Sequence, residues 1–223
     1  MQLKIKNKKI DISHVKAVIF DMDGTLIESE HIWAKAKKEI AHYAGIKITD
    51  DELNQFIGRG LNDFIDETIQ PKSKEERQNL NKKIQANALE NYASKIRVIG
   101  GAKDILKAFS LAGIRIAICS SGSMKAIKIS LRALNAINLI EVIVSGDNLT
   151  IGKPDPLPYL LTLKKLNLKA TETIVFEDTT SGLKSATEAG IQTIIVGSHP
   201  SDQKFSNSIL IEPSLINFYL ENI

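Results

Sequence analysis

The strongest constraint on the fold is a short apolar run, Ala17-Val-Ile-Phe20, that stops abruptly at Asp21. A strand with one wet face alternates polar and apolar residues, whereas an uninterrupted run suits a strand covered on both faces of a parallel sheet. Similar runs recur at Ile114–Cys119, Glu141–Ser145, Thr173–Phe176 and Thr193–Val196. Helical patterns separate them: Ala102 to Ala112 stops at Gly113, Met124 to Leu134 near Asn135, and Gly182 to Ala189 at Gly190. Each stop is a residue that tolerates the left-handed conformation closing a helix. Strand, helix, strand at this spacing predicts βαβ units, and so an α/β fold with a doubly wound parallel sheet.

The segment from about Ser29 to Arg97 breaks the cadence. It offers no convincing strand but several helix starts. Thr49-Asp-Asp-Glu52 and Ser73-Lys-Glu-Glu76 each pair an N-cap acceptor with Glu three residues on, Gly45 ends a first helix, and Gly58-Arg59-Gly60 separates two others. An all-helical insertion of roughly seventy residues between the first and second strands follows, and 223 residues suffice for a core domain plus this smaller one.

Composition narrows the function. With 29 basic against 26 acidic residues and a net charge of +3, there is no case for a nucleic-acid partner. Lys4, Lys6, Lys8 and Lys9, and the basic stretch from Lys72 to Arg97, read as solvated faces of a tail and a helix. No run approaches the ~18 apolar residues of a membrane span. Nor does an apolar segment follow the lysine-rich N-terminus before Val18, so no membrane or secretory role is expected. Cys119 is the single cysteine, which excludes an internal disulfide and points to a cytoplasmic protein. It is read as core, since it ends a strand.

In an open α/β sheet, ligands bind beyond the carboxyl ends of the strands. Those ends here supply Asp21-Met-Asp23-Gly24-Thr25, then Ser120-Ser121-Gly122-Ser123, then Gly152-Lys153-Pro154 beyond Asp147, then Glu177-Asp178. Anionic oxygens for a divalent cation, a carboxylate nucleophile, and hydroxyl and cationic groups for phosphate oxygens are what phosphoryl transfer requires. Other readings of these residues fail on spacing. A calcium loop needs its glycine at position 6, and Gly24 falls at position 4. Gly146 to Lys153 has five residues between its glycines where a phosphate loop has four, and Pro154 stands where Ser or Thr must meet Mg²⁺. His14, His31, His42 and His199 have no zinc-ligand spacing.

Val18-Ile-Phe-Asp-Met-Asp-Gly-Thr-Leu-Ile27 resembles the first motif of the haloacid dehalogenase superfamily, and the other three strand ends match its remaining motifs in order, over residues 16 to 200. The resemblance implies a Rossmann-like core (residues 1–27 and 98–223) and an inserted all-helical cap domain (28–97). It also implies Mg²⁺-dependent hydrolysis of a small-molecule phosphate monoester, such as a sugar phosphate or phosphoglycolate, by a monomer. By position, Asp21 is the nucleophile and Asp23 the acid and base. Asp21, Asp23, Asp178 and Glu177 would serve the metal, the last through water, while Ser120, Ser121 and Lys153 would bind phosphate. The insertion resembles the cap of the phosphoglycolate phosphatase and β-phosphoglucomutase branch. There Arg59 is the candidate for leaving-group recognition, and Trp33 reads as substrate contact or helix packing. Leu61 stands where the mutases hold an arginine, which weighs against the alternative of a phosphomutase. Asp23 weighs against dehalogenation, and nothing marks Lys35 or Lys37 as an imine-forming lysine. A second alternative, a non-catalytic ligand binder, is disfavoured because every catalytic position holds a competent residue.

Overall fold

A computed structural model describes residues 1–5, 8–197, 205–216 and 218–221. Lys6 and His199 lie outside them. Among the described residues, one six-stranded parallel sheet organises the chain. It contains β3 (Ala17–Phe20), β6 (Arg115–Ser120), β7 (Ile140–Ser145), β8 (Thr173–Glu177), β9 (Gln192–Val196) and β10 (Leu210–Glu212), in the order β10-β9-β8-β3-β6-β7. The doubly wound α/β expectation holds, with β10 as a strand the sequence reading did not include.

The two faces of β3 explain why its run is uninterrupted. Val18 and Phe20 pack with α6 (Ala102–Leu111) and α7 (Met124–Ala133); Ala17 and Ile19 pack with α8 (Leu157–Leu166) and α9 (Thr180–Glu188). On the first face Phe20 stacks on Phe176 at 4.6 Å between centroids, and Phe109 and Phe218 meet Phe176 edge-on. Each such pair adds about 0.5–1.5 kcal/mol beyond its area burial. The helices close as the sequence predicts, with Gly113, Asn135 and Gly190 at positive φ. Helix α8 was not foreseen; it closes in the same way at Asn167.

Because the chain runs from β3 out to β7 and then returns to β8 on the far side of β3, its crossovers change face between β3 and β8. That is the switch point at which an open sheet leaves a crevice. Phe20 pairs with Phe176 in register, so Asp21 and Glu177 emerge side by side.

The N-terminus is not the solvated tail expected. β1 (Gln2–Ile5) and β2 (Lys8–Asp11) form a hairpin whose first strand also pairs with β11 (Phe218–Glu221). Leu3 is buried, and the lysines find carboxylates: Lys4 pairs with Glu221, and Lys8 with Glu212 at 3.3 Å. Alternation of lysine with Leu and Ile marks a strand with one wet face.

Between β3 and β6 stand α1 (Glu30–Tyr43), α2 (Asp50–Asn54), α3 (Leu61–Phe64), a π-helical turn over Ile65–Ile69, α4 (Lys74–Leu89) and α5 (Tyr92–Lys95). They gather their own apolar cluster around Trp33, Phe56, Phe64, Ile84 and Tyr92. The Thr49 capping box forms in full. At the second start, Ser73 caps the N–H of Glu76, but Glu76 reaches back to the N–H of Lys72, one residue earlier than expected. The two chain passages joining this helical segment to the sheet pair as a short ribbon, β4 (Ile27–Glu28) with β5 (Arg97–Val98). Among the described residues, no helix is long and apolar enough to cross a membrane.

Candidate active site

A cavity of about 1040 Å³ lies between the carboxyl edge of the sheet and the helical segment, and Asp21, Asp23, Ser120, Ser121, Lys153, Arg59 and Trp33 all line it. Asp21 continues β3, its N–H donating to the carbonyl of Phe176 at 2.9 Å. Lys153, only 1% exposed, donates to Asp21 Oδ1 at 2.5 Å, Glu177 Oε1 at 2.6 Å and the Cys119 carbonyl at 3.0 Å. Its three N–H groups therefore meet three acceptors, and the ammonium fixes the orientation of Asp21.

Asp23 faces the helical segment. Its Oδ1 accepts from Ser29 Oγ and from Tyr92 OH at 3.3 Å, and its Oδ2 from Ser120 Oγ at 3.4 Å. Ser121 Oγ donates to the Gly58 carbonyl at 2.9 Å, across the junction of the two parts. Trp33 packs against Tyr92, its ring 6.0 Å away. Arg59 reaches the cavity wall, but its guanidinium is shared between Glu67 and Asp63 and lies over the Phe56 ring.

Glu177 takes a different position from the metal-side role expected of it. It is fully buried and absent from the cavity lining among the described residues. Its Oε1 accepts from Lys153 and from Tyr159 OH at 2.9 Å. Its Oε2 accepts from the N–H groups of Asp178 and Thr179 and from Thr179 Oγ1, at 3.0–3.1 Å. Five donors on two oxygens make it the anchor of Lys153. Gly182 of α9 permits this cage: a Cβ there would fall 1.8 Å from Glu177 Oε1. Gly182→Ala is expected to destabilise the fold by about 1–3 kcal/mol, the usual cost of overpacking a core. Denaturant unfolding checks this, and an unchanged midpoint would show that the cage yields freely.

Asp178 lies against the turn that follows Asp23, at Gly24 and Thr25. A Cβ on Gly24, which sits at φ +87°, would meet Asp178 Oδ2 at 1.9 Å, and Thr25 Oγ1 donates to Asp178 Oδ1 at 3.2 Å. Glycine is needed here for both the conformation and the close approach.

Four carboxylates thus lie in the neighbourhood of one lysine, which pairs directly with two of them, Asp21 and Glu177. Burial, with Glu177 and Asp23 adding to it and Lys153 opposing, pushes Asp21 up to about 8. Burial and the charges of Glu177 and Asp21 push Asp178 well above the carboxylate range. In Glu177 the cost of burial is outweighed by Lys153 and the ring of donors, and its carboxyl is lowered. The excess of negative charge is a donor set suited to a hard divalent cation. Among the described residues, no three His, Cys, Asp or Glu side chains are already gathered around a single point. Asp178 is turned onto Thr25, and Asp21 onto Lys153. Burial pushes the Cys119 thiol up to about 11, the wrong direction for a nucleophile.

Sequence reasoning missed Ser29, Tyr92, Tyr159 and Thr179. Only Thr179 carried a local signal, as the N-cap whose hydroxyl accepts from the N–H of Gly182.

The sequence profile described as haloacid dehalogenase-like hydrolase matches residues 18–196. A protein named phosphorylated carbohydrates phosphatase, from Thermotoga maritima, is 31% identical over 184 residues, covering 81% of this chain and 84% of that one. Validoxylamine A 7'-phosphate phosphatase from Streptomyces hygroscopicus subsp. limoneus is 28% identical, covering 79% and 83%. Among solved structures, CbbY from Rhodobacter sphaeroides in complex with phosphate superposes with a TM-score of 0.80 at 23% identity, covering 91% and 95%. The chain belongs to the haloacid dehalogenase-like hydrolase family.

Proposed function

We propose that this enzyme is a Mg²⁺-dependent phosphatase of small-molecule phosphate monoesters, with Asp21 as nucleophile and Asp23 as acid and base. The observation that carries the reading is the fixing of Asp21 by Lys153, on the same cavity surface as Asp23 and Ser120. Asp21 and Asp178, with Asp23 at the edge of the turn, would hold the cation, which when bound screens the charge of the phosphoryl group from the attacking carboxylate.

The chain's own groups supply the rest. An Asp21 oxygen attacks phosphorus, the ester P–O bond breaks, and the leaving oxygen takes a proton from Asp23. Water then attacks the phosphorus of the aspartyl phosphate, giving its proton to Asp23 and releasing inorganic phosphate. Dividing the displacement in this way replaces one difficult step by two easier ones. Ser120 and Lys153, both on the cavity lining, would hold phosphate oxygens, Lys153 by turning a donor from one of its protein acceptors, and residues 28–97 act as a cap that keeps bulk water from the nucleophile. Leu61, an apolar residue on the cavity wall, favours hydrolysis over mutase chemistry, for which the related enzymes hold an arginine. A cytoplasmic monomer completes the reading.

The test is phosphate release from a panel of monoesters with Mg²⁺ and with a chelator. Release that needs the cation supports the proposal; release indifferent to the chelator, or none from any ester, refutes it.

A further inference from the structure

The cavity wall opposite Asp21 carries polar groups that the hydrolytic steps do not use. Lys37 of α1 is 4% exposed and lines the cavity, and its ion pair among the described residues is with Glu30 Oε1, at 3.5 Å. An ammonium with three donors and one partner at the limit of hydrogen bonding is under-satisfied for so buried a group. On the same wall, Gln85 Nε2 donates to Asn81 Oδ1 at 2.7 Å and Asn81 Nδ2 to Asn62 Oδ1 at 2.8 Å, a chain of amides from α4 to α3. Each amide has two donors and two lone pairs, so the chain keeps both kinds of capacity for a ligand.

We propose that Lys37, Glu30 and the Asn62–Asn81–Gln85 amide chain form a leaving-group subsite that selects an uncharged, polyhydroxylated alcohol. The inference rests on the phosphatase reading above and names the substrate class of that site. A hydroxyl donates and accepts at once, so neighbouring hydroxyls satisfy an ammonium–carboxylate pair and an amide chain together. A leaving group whose one polar group is a carboxylate can pair with Lys37, but it leaves the amide oxygens without a donor and meets the charge of Glu30. A cavity of about 1040 Å³ also exceeds what a two-carbon acid fills.

Ribose 5-phosphate, phosphoglycolate and acetyl phosphate, each assayed with Mg²⁺, test the proposal. The wild-type kcat/KM is expected to favour ribose 5-phosphate over phosphoglycolate by about tenfold or more, as a site with buried polar groups discriminates against ligands that fail to pair them. Lys37→Gln and Asn81→Leu are each expected to lower the ratio of kcat/KM for ribose 5-phosphate over acetyl phosphate by about tenfold, the worth of one or two hydrogen bonds. Asn81 is partly exposed, so its variant serves if Lys37→Gln folds poorly. Preference for phosphoglycolate, or equal losses on both substrates, overturns the subsite alone. Phosphate released from none of the three substrates by the wild type removes the phosphatase reading, and the subsite with it.

Discussion

Asp21→Asn is expected to lower phosphatase turnover by roughly 10⁴-fold or more, as loss of a covalent nucleophile does in other hydrolases. The amide keeps the shape of the carboxylate but cannot form the acyl phosphate. Stability is expected to move the other way. Burial makes the charge of Asp21 costly, and only part of that cost is returned by Lys153. Without Mg²⁺ the variant is therefore expected to melt no lower than the wild type. Turnover and melting temperature together separate a chemical role from a structural one. An Asp21→Asn variant that still turns over near the wild-type rate removes Asp21 as nucleophile; one that is inactive because it unfolds removes the electrostatic account.

The second large effect is that of Lys153→Met. Its ammonium lies between Asp21 and Glu177, and removing one member of a buried ionic cluster costs about 3–5 kcal/mol, because the carboxylates left behind are uncompensated. The loss carries a pH dependence. Asp21 holds its proton more tightly folded than unfolded even beside the lysine, so the change falls on Glu177. That carboxyl loses the charge that outweighs its burial and then holds its proton more tightly as well. Such a group destabilises the fold as the pH rises past its unfolded value, near 4, and ceases to do so below it. With chelator present, the gap between wild type and variant is thus expected to widen from pH 5 to pH 8 in denaturant unfolding. A gap that stays constant would mean that the lysine acts through packing against Tyr159, whose ring centroid is 5.1 Å from its nitrogen. Activity is expected to fall with stability, since Asp21 loses the group that orients it.

Much of this arrangement was legible because the sheet converts sequence position into spatial position. Runs buried on both faces must be central strands, and their carboxyl ends must share an edge. Asp21, Ser120, Lys153 and Asp178 could therefore be grouped although more than 150 residues separate the first from the last. What escaped was of two kinds. Short elements gave weak patterns: β1 and β2 are lysine-rich and four residues each, and β10 has only three. Contacts between the helical segment and the sheet gave none, since no local rule places Tyr92 on Asp23, 69 residues away. Lys37 illustrates the same limit. In sequence it is one of several lysines on a helix, and only packing of α1 against α4 reveals it as buried. Arg59 is the reverse case, conspicuous between two glycines yet neutralised by acidic neighbours of its own segment.

The cage around Glu177 separates two properties that evolution and engineering often find entangled. Tyr159 belongs to the interior behind the site, and Thr179 lies beyond β8 against Gly58 of the helical segment; neither lines the cavity among the described residues, yet their hydrogen bonds fix the carboxylate that holds Lys153. On the proposed reading, reactivity would be governed from behind the site, and the choice of alcohol from the helices in front. Substitutions in α1, α3 and α4 would then retune what the protein accepts without disturbing how it cuts. A change at Tyr159 would instead dull the chemistry for every ester alike.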